Sequence, residues 1–252
     1  MPSVLFERDN NILKIALNRL AVLNAVNQTV LKELHRGLVD AAADPDISAL
    51  MLFGQGACFS AGADIKELAQ LDKEGLRKFH HLREKTFALL ENFPSPTFAA
   101  IERYALGTGL ELALCCDFRI ADENARLGIP SAKLGIVESY EYLTRLVRAV
   151  GVFQAKKMIF TGERLPAPVA FSVGLVEEVV PPGRLFERAD ALMETLSKNA
   201  TGAIRVSKEI VNTCGRDPYL QSIEDTALPM ENSFTGNECK ERLAAFLRKR
   251  SK

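Results

Sequence analysis

The chain carries no surplus of either charge: 32 lysines and arginines balance 32 aspartates and glutamates over 252 residues. Such a surface has no overall field to draw in nucleic acid or an anionic membrane, so an anionic ligand must be held by a local site. Cysteine pairing is also missing. Cys58, Cys115, Cys116, Cys214 and Cys239 are odd in number and contain no C-x-x-C, which reads as reduced thiols of a cytoplasmic protein, mostly used in packing. No stretch approaches the roughly 20 apolar residues of a membrane span, and the opening MPSVLFERDN acquires an acid and a base too early for a signal peptide. There is no G-x-x-x-x-G-K-[ST] phosphate loop. His80 and His81 are adjacent, so on a helix they point about 100° apart, whereas metal ligation favours i, i+4 pairs; they read as solvent-exposed.

What is present is enough apolar matter, 47% of the residues, for a full core. Residues 4–17 alternate apolar and polar around Asp9-Asn10-Asn11, the pattern of a hairpin. From Asn24 the period changes, and Val26, Val30, Leu34 and Leu38 mark one stripe of a helix ending near Asp44-Pro45. A short apolar strand follows at 48–54. A charged helix over 73–92 stops at "FPSP", where proline forbids continuation. Strand 97–101, a helix over 109–116 and short strands in "DFRIA" and "ARLGIP" repeat the rhythm, which predicts a mainly parallel sheet with crossover helices. After the strand "LVEEVV" everything reads as helix: 184–198, 202–213, 217–230 and 237–250. The expected division is an α/β core over 1–182 and a helical region over 183–252.

Two glycine-bearing turns follow strands, "FSAGADI" at 59–65 and "LGTGLEL" at 106–112. Gly62 and Gly107 lie one repeat apart, so both turns can reach the same sheet edge, where open α/β sheets collect ligands. A helix starting near Gly109 leaves first-turn amides unpaired and partly positive. If the amides of Ala63 and Thr108 face one another, they make a two-donor oxyanion hole; otherwise the glycines only shape turns. Glu111 is the single acid in an apolar run, which predicts burial and a raised pKa useful for proton transfer.

These residues carry a resemblance. "NRLAVLNAV" at 18–26, "CFSAGADIKEL" at 58–68, "YALGTGLELALCCDFRIADENARLGIPSAKLGI" at 104–136, "GLVEEVV" and the closing "CKERLAAFLRKR" resemble the enoyl-CoA hydratase/isomerase, or crotonase, family along essentially the whole chain. The resemblance implies a spiral of ββα repeats with a C-terminal helical region that makes a homotrimer or a dimer of trimers. The ligand it implies is an acyl-CoA thioester, CoA being part of the substrate, with no metal and no redox cofactor. Carried over by position, the amides of Ala63 and Thr108 hold the thioester carbonyl. Ala21, Val22 and Leu23, with Ala61, Asp64, Ile65 and Lys66, line the adenine and pantetheine path, and Glu111 is the proton-transfer group. Thr108 stands where many members have glycine, but the donor is its backbone amide.

Two departures accompany the likeness. The second hydratase glutamate is Ser131 here, and serine holds a water without taking its proton at neutral pH. The family's Pro-Gly-x-Gly-Gly-Thr entry to the next helix is "ESYEYLT", 138–144. Glu138 and Glu141 are candidates to replace the carboxylate, and Tyr140 and Tyr142 to reshape the acyl pocket. The expected activity is therefore of hydratase/isomerase type. Alternatives are double-bond migration with Glu111 alone, decarboxylation or thioester hydrolysis, and an acyl-CoA-binding subunit without catalysis.

Overall fold

The computed structural model describes residues 1–216, together with 236, 237 and 241. The chain divides into two compact units, Met1–Leu192 and Met193–Lys252. The sequence-predicted helices at 217–230 and 237–250 lie outside the described residues, apart from isolated positions.

In the first unit, β1 (Val4–Asp9) and β2 (Ile12–Leu17) form the predicted hairpin, with Asp9 opposite Ile12. The turn uses the left-handed backbone of Asn10, a residue type that tolerates it. β3 (Ala49–Gly54), β4 (Thr97–Ile101), β6 (Phe118–Asp122) and β9 (Glu178–Val180) extend the sheet, every added pair parallel, in the order β1-β2-β3-β4-β6-β9. β3 and β4 are almost continuously apolar and buried on both faces, as parallel strands covered by crossover helices must be. A second sheet of three short strands, β5 (Tyr104–Leu106), β7 (Arg126–Gly128) and β8 (Arg164–Pro166), is not evident from periodicity. Three residues are too few to display an alternation.

Helix α1 (Gln28–Ala42) buries Val30, Leu31, Leu34, Leu38 and Ala41. It begins four residues later than the hydrophobic stripe suggests. Leu23 and Asn24 take left-handed backbone, Val26 bridges to Ala63, and Asn27 caps the helix by accepting from the Val30 amide at 3.0 Å. Helix α3 (Lys73–Glu91), after the single turn α2 (Ile65–Leu68), packs beside α1 and adds Phe79, Phe87 and Leu90 to the core. Next come α4 (Thr108–Leu114), α5 (Tyr140–Thr161, interrupted by the non-helical backbone of Gly151), α6 (Ala167–Ser172), α7 (Leu185–Ser197) and α8 (Thr201–Arg216). No described helix is long and apolar enough to cross a membrane. Cys58, Cys115 and Cys116 are buried free thiols, while His80 and His81 are exposed.

Candidate active site

The two glycine-bearing turns meet. Ser60 bridges to Ala105, with the Leu106 amide donating to the Ser60 carbonyl at 3.1 Å and the Ser60 amide to the Tyr104 carbonyl at 2.8 Å. Contact is so close that a Cβ on Gly62, at φ +108°, would lie 2.7 Å from the Leu106 carbonyl oxygen. Only glycine fits that crossing.

On its other side the first turn is tied to residues 19–26. The Val26 amide donates to Gly62 O at 2.7 Å, the Asp64 amide to Val26 O at 2.8 Å, and the Ala61 amide to Leu23 O at 2.9 Å. Because Val26 bonds the residues flanking Ala63, the Ala63 N–H points away from it. Neither that amide nor that of Thr108, the first residue of α4, donates to an acceptor among the described residues. Asn24 locks the assembly. Its buried side-chain amide donates to Gln55 O at 2.9 Å and Cys58 O at 2.6 Å, and accepts from the Arg19 amide at 2.8 Å. Arg19, unmarked in the sequence reading, reaches Asp64 at 3.0 Å and Ala25 O at 2.7 Å. Ala21, Val22, Ile65 and Lys66 are exposed along this edge, and Leu23, Ala61 and Asp64 half-buried.

Glu111 is 0% exposed and follows Thr108 by three residues on α4. Helical side chains lean toward the N-terminus, so its carboxyl lies over the turn that carries the Thr108 amide. Two arginines flank it. Arg145 Nη1 stands 3.2 Å from Oε1, and Arg83 Nε 3.4 Å from Oε2. Arg83 Nε and Glu111 Oε2 nevertheless make no hydrogen bond among the described residues, which leaves that carboxyl oxygen without a bonded partner. Burial pushes the Glu111 pKa up to about 8; Arg83 and Arg145 oppose the shift, while Glu84 and Glu138 reinforce it. For Glu84, burial is outweighed by hydrogen bonds from Arg83 and Ser139, 2.9 and 2.8 Å, and its pKa falls. Arg145 also meets Glu91 at 3.1 Å and Glu84 at 3.4 Å. The arginines escaped the sequence reading, although Arg83 falls on the same stripe as Phe79, Phe87 and Leu90, where an uncompensated charge would be prohibitive.

Ser131, in a 3-10 turn over Pro130–Leu134, donates a short hydrogen bond to Glu138. Glu138 is half-buried, whereas Glu141 is exposed. The tyrosines separate likewise: Tyr140 is 81% exposed, and Tyr142 is fully buried with its hydroxyl donating to the Gly107 carbonyl at 2.8 Å. Among the described residues no three His, Cys, Asp or Glu side chains gather as they would to hold a metal ion.

The pattern of the enoyl-CoA hydratase/isomerase family matches residues 7–252. The short-chain-enoyl-CoA hydratase of Clostridium acetobutylicum is 36% identical over 254 residues, spanning 98% of this chain and 95% of that protein. Among solved structures, the enoyl-CoA hydratase of Bacillus anthracis superposes with a TM-score of 0.92 at 35% identity, covering 98% of this chain and 96% of that one. Pseudomonas aeruginosa DspI gives 0.92 at 30% identity, covering 99% and 95%.

Proposed function

Since the chain belongs to the enoyl-CoA hydratase/isomerase family, we propose that it adds water to the double bond of a 2-enoyl-CoA thioester. The observation that carries this reading is Glu111, buried and proton-bearing at neutral pH, on the helix that Thr108 begins where two turns converge. The amides of Ala63 and Thr108 donate to the thioester oxygen. Each donor of this kind is worth roughly 3 kcal/mol once charge develops on that oxygen. Conjugation then makes Cβ electrophilic.

Glu138, already accepting from Ser131, takes a proton from water as its oxygen bonds Cβ. The enolate collapses, and Glu111 Oε2 delivers its proton to Cα. Transfer of the proton from Glu138 back to Glu111 resets the pair. Two carboxyl groups in unlike surroundings thus take opposite roles. The carboxyl of Glu111 has no solvent contact in this conformation. The reading therefore requires the side chains that cover this carboxyl to move aside as an acyl chain enters.

Ala21, Val22 and Leu23, with Ala61, Asp64, Ile65 and Lys66, form the CoA edge in this reading. Enolate stabilisation by backbone amides calls for no metal or redox cofactor. The exposed Phe153, Phe160 and Phe171, with the helices α7 and α8, support a homotrimer or dimer of trimers. Buried free thiols agree with a cytoplasmic location.

Ser131, in place of the family's second glutamate, favours a second reading: double-bond migration with Glu111 shuttling one proton between Cα and Cγ. Crotonyl-CoA and a 3-enoyl-CoA, each followed by mass spectrometry in heavy-oxygen water, separate the two. Heavy oxygen in the product supports hydration, and an isomer without it supports migration. No turnover of either thioester by the unaltered protein, with Thr108→Pro and Thr108→Gly indistinguishable from it, removes both.

A further inference from the structure

We propose that Tyr142 is a positioning residue that sets and polarises the Gly107–Thr108 peptide, and so tunes the Thr108 N–H as a donor to a thioester oxygen. The inference rests on the oxyanion reading above and deepens it. The Gly107 carbonyl and the Thr108 N–H belong to one planar group, so what holds the carbonyl also aims the N–H. Two donors hold it: Tyr142 Oη at 2.8 Å and the Glu111 amide at 3.0 Å. The Gly107 amide donates in turn to Gly128 O at 2.9 Å, so hydrogen bonds on both sides fix this buried turn. Gly107 has φ +49° and ψ −122°, and no atom lies within 4 Å of where its Cβ would be.

Tyr142 is itself well anchored. Its amide donates to Ser139 Oγ at 3.3 Å, the cap of α5, and Ser139 in turn donates to Glu84 on α3 at 2.8 Å. Its ring is 0% exposed. Burial drives the phenol pKa well above its ordinary value, so the hydroxyl remains a donor throughout the working range. A hydrogen bond accepted by an amide carbonyl strengthens the N–H of the same amide, by about 10–30% in condensed-phase estimates. Tyr142 lies within the segment where the family's glycine-rich helix entry is replaced, so the device comes with this chain's own departure from the pattern.

The test reads the carbonyl directly. A saturated acyl-CoA labelled with carbon-13 at the thioester is bound to the full-length protein, and the carbonyl stretch is followed by infrared difference spectroscopy. The wild type is expected to lower the frequency relative to free ligand. Tyr142→Phe should give a smaller lowering, a kcat reduced about 3- to 10-fold and a nearly unchanged KM, with the pH profile in place. Replacement of Tyr142 by 3-fluorotyrosine keeps the ring and strengthens the donor; it should lower the frequency beyond wild type, which a packing role would not do. A full wild-type shift and kcat in Tyr142→Phe, or no extra shift with fluorotyrosine, overturns the proposal alone. No shift in the wild type overturns the oxyanion reading and the proposal with it.

Discussion

Arg145 Nη1 donates to Glu111 Oε1 at 3.2 Å deep in the core, with side-chain exposures of 6% and 0%. An arginine so close would ordinarily hold a carboxyl in its charged form. Here burial prevails, and the carboxyl keeps its proton to about pH 8. The arginines are shared with Glu84 and Glu91, so neither is committed to Glu111 alone.

Glu111→Gln keeps the shape of the side chain and removes the transferable proton. Turnover of crotonyl-CoA is expected to fall by roughly 10² to 10⁴, read as loss of the conjugated thioester absorbance. In the proposed hydration Glu111 serves as proton donor to Cα, so kcat/KM of the unaltered protein should decline above about pH 8. A rate that rises through that pH instead assigns Glu111 the base role of double-bond migration.

The same group makes stability depend on pH. Its folded pKa, about 8, exceeds its ordinary value of 4.5, so between these limits the native state binds the extra proton. This contribution is fully present below pH 4.5 and is lost as pH rises through 8. Urea midpoints across that window should fall for the wild type relative to Glu111→Gln, by on the order of a few kcal/mol in unfolding free energy.

Ser131 and Glu138 act together in the proposed hydration. Glu138→Gln should reduce it by roughly 10² or more, while Ser131→Ala, which leaves the carboxylate, should cost less. Ser131→Glu sets a second carboxylate against Glu138 and should bring no gain. A large gain would instead mean that Glu138 takes no part and that the missing glutamate had been limiting.

Arg145→Met removes the cation shared by Glu84, Glu91 and Glu111. Glu84 keeps Arg83 and Glu91 keeps Arg148, so the loss of stability by urea denaturation should stay below the roughly 3–5 kcal/mol of a buried pair broken outright. The alkaline limb of the rate profile should move upward, because Arg145 is one of the charges now holding the Glu111 pKa down.

Asn24→Ala should destabilise the protein by about 2–4 kcal/mol, measured in the same way, since the buried Cys58 carbonyl, the half-buried Gln55 carbonyl and the Arg19 amide all lose a partner. Ordinary turnover with lost stability would identify Asn24 as scaffold alone.

Long periodic elements were legible in the sequence because burial on one face leaves a stripe. The α1 and α3 stripes and the apolar runs of β3 and β4 are such cases. The start of α1 was misplaced because Val26 is apolar for a different reason, its bridge beside Ala63. Glu111 stood out as one acid among leucines and alanines. Its partners did not, since Arg83 and Arg145 arrive from two other helices and their meeting is tertiary. Glu138 and Glu141 were indistinguishable as letters, and the backbone turning into α5 separates them, one toward Ser131 and the other toward solvent.

The bridge between Ser60 and Ala105 has a genetic corollary. In the proposed oxyanion hole, which amide of one turn faces which amide of the other is determined by the alignment of two backbone segments, with no side chain at 63 or 108 taking part. Replacement at those two positions can therefore be tolerated, as a threonine at 108 illustrates. Insertion or deletion of one residue between 60 and 63, or between 105 and 108, would offer the wrong amide while leaving every acidic and basic residue intact. Across descendants of this chain, those two intervals should hold constant in length, with positions 63 and 108 free to vary while 62 remains glycine.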